Sequence, residues 1–327
     1  MVIDDMSCDL PWRIHWRLAG ADPGPYLAAL RQARPLSLVL EVDDPGEVHA
    51  LGLPWENTSV VVVLEGWRTA PRPFSLTGVS MWEFPVSGLE EAKAAEKTVP
   101  KALPPGRVAL RWIPGRANLT EFPAILELVH AAGFGLTLPN RPADDITARK
   151  GDDPPNFEVF EQNDLYRMRK SADALGSRRL RIHDFILSTL LGIEGPAPQG
   201  CGAADSTVFV DGNGVVFPCS SLAVRMGSLV DKTLENIWNS PIRRRIRRDI
   251  TALPSVCGAC DDLPRCLGGC RGAAFHTYGH FGAPDPVCPK GVRSNVQRDK
   301  ISPESRVQRR KKRTRGHGDQ KDVIASD

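Results

Sequence analysis

A chain of 327 residues can bury a substantial core as one large domain or two modest ones. With 41% hydrophobic and 25% charged residues it has an ordinary globular composition, and no stretch approaches the ~20 apolar residues that span a bilayer. The net charge of +3 sits in one place: residues 301–327 carry eight Lys/Arg against four Asp/Glu, leaving 34 basic and 35 acidic groups elsewhere. A near-neutral body predicts neither a nucleic-acid surface nor a membrane surface. The start MVIDDMSCDLPW lacks the basic, then apolar, pattern of a signal peptide. A cytoplasmic protein without structural disulfides is therefore expected.

In chain order, Ile14–Leu18 and Leu36–Val42 read as strands around a short helix at Pro25–Ala33. Val60–Leu64 is a continuous apolar run suited to a strand buried on both faces. Leu89–Lys97 reads as a helix and Val108–Ile113 as a strand. Leu119–Ala132 is an amphipathic helix with Phe122, Ile125, Leu126 and Val129 on one face and Gly133 as its stop. Phe134–Leu138 returns as a strand. This alternation predicts an α/β layer, a parallel sheet or partial barrel. Arg141–Pro155 is a polar connection, Asp164–Ile193 reads as helical, and Gly195–Gly200 is a linker. Within the helical stretch, His183-Asp184 is the one suggestive polar pair, and a satisfied, partly buried histidine explains it. The tail beyond residue 300, with its basic run Arg309–Arg313, reads as disordered and solvated.

Only Cys8 precedes residue 200; it is expected to be an ordinary thiol. The other seven cysteines fall between 201 and 288. After Cys201, the runs Thr207–Val210 and Val215–Phe217 flank Asp211-Gly212-Asn213-Gly214 and predict a hairpin that carries Cys219 back beside Cys201. A helix from Asp231 or Thr233 follows, with Leu234, Ile237, Trp238, Ile242, Ile246 and Ile250 as its apolar stripe. Its other face carries Arg243, Arg244, Arg245, Arg247 and Arg248, either a solvated face or a dock for an acidic partner. Then come Cys257-Gly-Ala-Cys260, Cys266-Leu-Gly-Gly-Cys270 and Cys288. Cysteines two residues apart reach one metal centre from a single turn, and Gly268 and Gly269 let backbone pass close to a bulky cluster. Seven thiols exceed one tetrahedral site, which points to iron–sulfur clusters. Zinc remains an alternative, because CxxC is also zinc vocabulary and His276 and His280 have ligand spacing.

The full spacing, with VFVDGNGVVFPC and CLGGCRG, resembles the seven-cysteine SPASM domain, the C-terminal extension of radical SAM enzymes that mature peptides and proteins. The resemblance covers about residues 200–290. It implies two [4Fe–4S] clusters: Cys201, Cys219 and Cys270 on the first, and Cys257, Cys260, Cys266 and Cys288 on the second. Some members place another cysteine where this chain has Thr207, so the first cluster is expected to have an open iron or a non-cysteine ligand.

Radical SAM chemistry needs a CX₃CX₂C set after the first strand. There this chain reads AGADPGPYLAAL, without cysteine. The expected architecture is thus a degenerate radical-SAM-like partial (βα) barrel at 1–195, a small cysteine-rich SPASM iron–sulfur domain at 196–295, and a basic tail at 296–327. The arrangement and the opening DLPWRIHWRL resemble the SPASM-domain proteins of GeoRSP-type systems. The resemblance implies an accessory protein, not itself an enzyme, with no catalytic residue and no bound S-adenosylmethionine. Its partners would be a radical SAM/SPASM enzyme and that enzyme's peptide substrate, served by electron relay or by substrate binding at the clusters. The alternatives are a peptide-binding module with structural clusters or structural zinc, and an enzyme with redox chemistry at the open cluster.

Overall fold

A computed structural model describes residues 10–18, 20–69, 77–99, 103–115, 117–140, 162–175, 179–193 and 200–293. Cys8, the connection at 141–155, most of the linker at 195–199 and the basic tail lie outside the described residues. The chain alternates strands and helices: β1 (Arg13–Arg17), α1 (Gly24–Gln32), β2 (Ser37–Val42), α2 (Gly46–His49), β3 (Ser59–Leu64), β4 (Met81–Val86) and α3 (Leu89–Thr98). Next come β5 (Val108–Trp112), α4 (Phe122–Ala132), β6 (Gly135–Leu138), α5 (Gln162–Leu175), β7 (Leu180–Ile182) and α6 (Phe185–Leu191). β1 to β7 pair parallel in chain order, so the expected α/β layer is the one that forms.

Alternation along each strand splits the two faces. Ile14, Trp16, Leu38, Leu40, Val60, Val62, Phe84, Leu110, Trp112, Leu136 and Leu138 join a buried core. The Trp112 ring stacks on Phe122 at 5.9 Å, fixing β5 against α4. α4 ends at Gly133, whose φ of 74° is the left-handed stop that its sequence predicts.

Three elements differ from expectation. β4 escapes the alternation rule because Glu83 and Pro85 interrupt MWEFPV, yet Met81, Trp82, Glu83 and Phe84 are all buried. The stretch 164–193 is not one helix: it divides into α5, β7 and α6, with the Asp184 carboxylate accepting Leu187 N–H at 2.8 Å to start α6. The arginine-rich segment is likewise two helices, α7 (Leu234–Trp238) and α8 (Pro241–Thr251). Ser240 caps the second through Arg243 N–H and Pro241 stands in its first turn, a combination that starts a helix rather than continuing one.

The sheet does not stop at β7. β8 (Thr207–Val210) lies parallel to β1, from Arg13 opposite Thr207 to Trp16 opposite Val210. β9 (Val215–Phe217) and β10 (Gly227–Ser228) add antiparallel beyond it, giving ten strands in the order β10-β9-β8-β1-β2-β3-β4-β5-β6-β7. The segment carrying Cys201 and Cys219 thus shares its hydrogen-bond ladder with the barrel.

Leu38 is 0% exposed in the centre of this sheet, whereas Leu36, just outside β2, is 59% exposed. Leu38→Ala should cost about 2–5 kcal/mol in urea denaturation, and Leu36→Ala less than about 0.5 kcal/mol. Equal effects would contradict this placement of the core.

Candidate metal centre

Five of the seven cysteines are set by a local device that the structure shows directly. Cys201 precedes a tight loop in which Arg247 Nη1 donates to the Cys201 carbonyl, and its thiol receives the N–H of Ala203. Cys219 closes the hairpin just after β9, bridged to Leu222, and its sulfur receives N–H groups from Ser221 and Leu222. Cys270 caps α10 (Arg271–Tyr278), with Ala273 N–H donating to its Sγ at 3.4 Å. Cys266 ends the short α9 (Leu263–Cys266), and Cys288 precedes α11 (Pro289–Arg293), where Gly291 N–H reaches its Sγ at 3.3 Å.

Between Cys266 and Cys270 the chain runs through three left-handed residues, Leu267, Gly268 and Gly269, at φ 51°, 83° and 76°. A Cβ on Gly269 would fall 2.5 Å from the Asp285 side chain, so this loop needs glycine for both conformation and space. Asp285 in turn accepts the N–H of Cys270 at 2.6 Å and of Val287 at 2.9 Å, tying the loop to the strand of chain that bears Cys288. Burial, then the nearby Asp184, pushes the Asp285 carboxyl up to about 7.

The thiols fall into two neighbourhoods. Burial, and then Cys201, pushes the Cys219 thiol up to about 12; Cys270 is raised by burial, Asp285, Cys219 and Cys201. Cys257 is raised by burial, with Cys266, Cys288 and Cys260 contributing, and Cys266 by burial with Cys288 and Cys260 contributing. Cys219 and Cys270 are thus raised by thiols of one neighbourhood, and Cys257 and Cys266 by thiols of another. The second group leans on α6: Cys266, Val287 and Ile186 form a small apolar cluster with Leu190 and Cys288 beside it.

Among the described residues, no three His, Cys, Asp or Glu side chains converge as closely as a single metal ion requires. A [4Fe–4S] cubane takes four thiolates, each on a different iron. The donor set fits as well: soft thiols, each group receiving backbone N–H bonds of the kind that stabilise cluster sulfur. His276 and His280, the candidate zinc ligands, both occupy exposed positions. Thr207 begins β8, opposite Arg13.

The arginine face divides. Arg243 is buried, donates from Nε to the Ala204 carbonyl at 2.8 Å and stacks over Trp238 at 4.3 Å. Arg247 holds the Cys201 loop and pairs with Asp205 at 3.4 Å. Arg243 is therefore buried rather than on a partner-binding surface, whereas Arg247 is half-buried while bracing the first cysteine. Arg244, Arg245 and Arg248 remain exposed.

A second polar site, missed by sequence reasoning, lines the barrel face opposite the apolar core. His15 Nε2–H donates to Glu41 at 2.9 Å and Arg17 lies 3.4 Å from the same carboxylate. Arg111 and the Thr137 hydroxyl donate to Glu83 at 2.9 and 2.8 Å. Burial opposes ionisation of Glu41, but His15, Arg111 and Arg17 outweigh it and hold the carboxyl down to about 2. Burial and Arg111 lower His183 to about 4, so its imidazole is neutral at physiological pH. Period-two alternation placed these side chains on one face, but only the parallel register brings residues 26 to 54 positions apart into contact.

Comparison with known proteins gives the family of part of this region. Residues 201–261 match the SPASM family, an iron–sulfur cluster-binding domain, and so include Cys201, Cys219, Cys257 and Cys260. A PqqA peptide cyclase from Xanthomonas campestris pv. campestris is 30% identical over 117 residues, 33% of this chain and 31% of the cyclase. The chain thus spans about a third of that relative's length. In fold, it matches Streptococcus suis SuiB bound to the precursor peptide SuiA, with a TM-score of 0.60 at 13% identity over 86% of this chain and 77% of SuiB. It also matches anSMEcpe with bound AdoMet and a Cp18Cys peptide, at a TM-score of 0.54 and 12% identity over 86% of this chain and 94% of that one. The chain is a SPASM-domain protein on a radical-SAM-like α/β fold. These findings overturn the expectation that it is not an enzyme: its relative is named as a cyclase, and its fold is that of proteins that bind S-adenosylmethionine.

Two outcomes test the geometry. A Cβ on Gly272 would lie 2.2 Å from the Ser221 carbonyl oxygen, whereas one on Gly106 meets nothing within 4 Å. Gly272→Ala should cost about 1–3 kcal/mol by thermal denaturation, and Gly106→Ala less than about 0.5 kcal/mol. Glu41 contributes stability above its ordinary pKa of 4.5 and loses it as pH falls towards about 2. The stability gap between wild type and Glu41→Gln should therefore shrink across that window; a constant gap would contradict the ion-paired assignment.

Proposed function

We propose that this protein takes part in peptide modification through two [4Fe–4S] clusters, working with a partner radical SAM enzyme. The reading is supported by the iron–sulfur SPASM match over residues 201–261 and by the hydrogen-bonded loops that carry Cys201, Cys270 and Cys288. In this reading Cys257, Cys260, Cys266 and Cys288 hold one cluster completely. Cys201, Cys219 and Cys270 hold the other and leave one iron for a non-cysteine ligand or substrate. The bound clusters supply one-electron chemistry. In this reading the barrel belongs to the part of the chain before residue 196 and the cluster module to 196–295, with the basic run of 296–327 after it.

The chain's own side chains set the stage. Arg243 and Arg247 fix the loop at Cys201, Asp285 fixes Cys270, and α6 shields the four-cysteine site on one side. The barrel face offers carboxylates held ionised beside a neutral imidazole, a surface suited to the polar groups of a peptide. Arg244, Arg245 and Arg248 give an acidic partner a place to approach.

The test is partner turnover with cluster-ligand variants. Adding wild-type protein to a competent radical SAM enzyme and its peptide should raise turnover. Cys260→Ala should lose about half of the bound iron, consistent with four irons per cubane, and with it the stimulation. Unchanged stimulation by Cys260→Ala would rule out electron relay through the complete site.

A further inference from the structure

Arg271 follows Cys270 directly and is 2% exposed, a charged side chain with almost no access to water. Its guanidinium is held as a fork: Nη1 donates to the carbonyls of Phe281 at 3.1 Å and Ala283 at 2.9 Å, and Nη2 to the carbonyl of Gly268. These acceptors fix its position but carry no full charge. Its Nε–H is buried and has no hydrogen-bond partner. Asp285 is close by, yet its two oxygens already accept N–H groups from Cys270 and Val287. A buried cation with an idle donor is costly unless something anionic completes it.

Its place in the chain lies between proposed cluster ligands. Arg271 lies one residue from Cys270 of the three-cysteine group, and Gly268, which it grips, lies two residues from Cys266 of the four-cysteine group.

We propose that Arg271 is the shared countercharge of the two cluster sites, a positioning residue whose Nε–H donates to cluster sulfur and whose charge raises both reduction potentials. The inference rests on the two-cluster reading. Thiolate-ligated clusters are anionic and gain further negative charge on reduction, so a fixed nearby cation stabilises the reduced form. One side chain placed between two such sites acts on both at once.

The experiment is an EPR-monitored redox titration of the anaerobically purified full chain, with iron and sulfide measured alongside. Variants are Arg271→Gln, which removes the charge, Arg271→Lys, which keeps it without the fork, and Arg244→Gln as an exposed control. Both midpoints should move to more negative values in Arg271→Gln, and stay near wild type in Arg271→Lys and Arg244→Gln. If Arg271→Gln fails to retain clusters while Arg271→Lys retains both, the charge is again the essential property. Midpoints unmoved in Arg271→Gln, a shift confined to one cluster, or loss of clusters in both Arg271 variants would overturn the proposal. Wild-type protein without iron and sulfide would instead overturn the cluster reading beneath it.

Discussion

Parallel pairing of β8 with β1 is the constraint on which the rest of the structure depends. Four residues, Thr207 to Val210, lie along Arg13 to Trp16, and through them the chain between Cys201 and Cys219 becomes part of the barrel's sheet. Without that ladder the hairpin would be a two-stranded unit, marginal in water by itself. With it, Val208 and Val210 enter the same buried core as Ile14 and Trp16. Phe209, on the other face, meets the edge of the His15 ring at 5.1 Å. The cysteine-bearing hairpin is anchored on one side by hydrophobic burial and on the other by the polar barrel lining.

The rest of the module hangs from that anchor through a few charged side chains used as struts. Arg243 and Arg247 reach from α8 to carbonyls of the Cys201 loop. Arg271 spans from α10 to Gly268, Phe281 and Ala283. Each serves irregular backbone, which has carbonyls without ladder partners and needs donors to satisfy them. Arginine suits this work because its donors are fixed in a planar fork. A cluster-binding module has little apolar core of its own, so its rigidity comes from such bonds and, when loaded, from metal–thiolate ligation.

Much of this was legible in the sequence, and the limits have physical causes. The seven cysteines, the DGNG hairpin and the barrel strands with plain alternation were readable because spacing and period carry that information. β4 was not, because its buried Glu83 and its Pro85 mask a strand whose neighbours supply the partners. The single helix expected over 164–193 failed at β7, a three-residue strand too short to show a period. Arg243 and Arg247 read as surface charge because helical phase separates faces but does not reveal which loop will fold against the polar one. Arg271, Asp285 and the Glu41 and Glu83 networks were invisible for a related reason. Their roles arise from contacts across the fold, and one sequence does not disclose register.

The SPASM match gives residues 201–261 an iron–sulfur cluster-binding domain, and the fold is shared with SuiB. The central claim is that the seven cysteines build two cubane sites rather than zinc or free-thiol sites. Native mass spectrometry of the anaerobically purified chain tests it most directly. The account predicts a mass above that of the polypeptide by two Fe₄S₄ units. A mass increased by zinc alone, or by nothing, would contradict it.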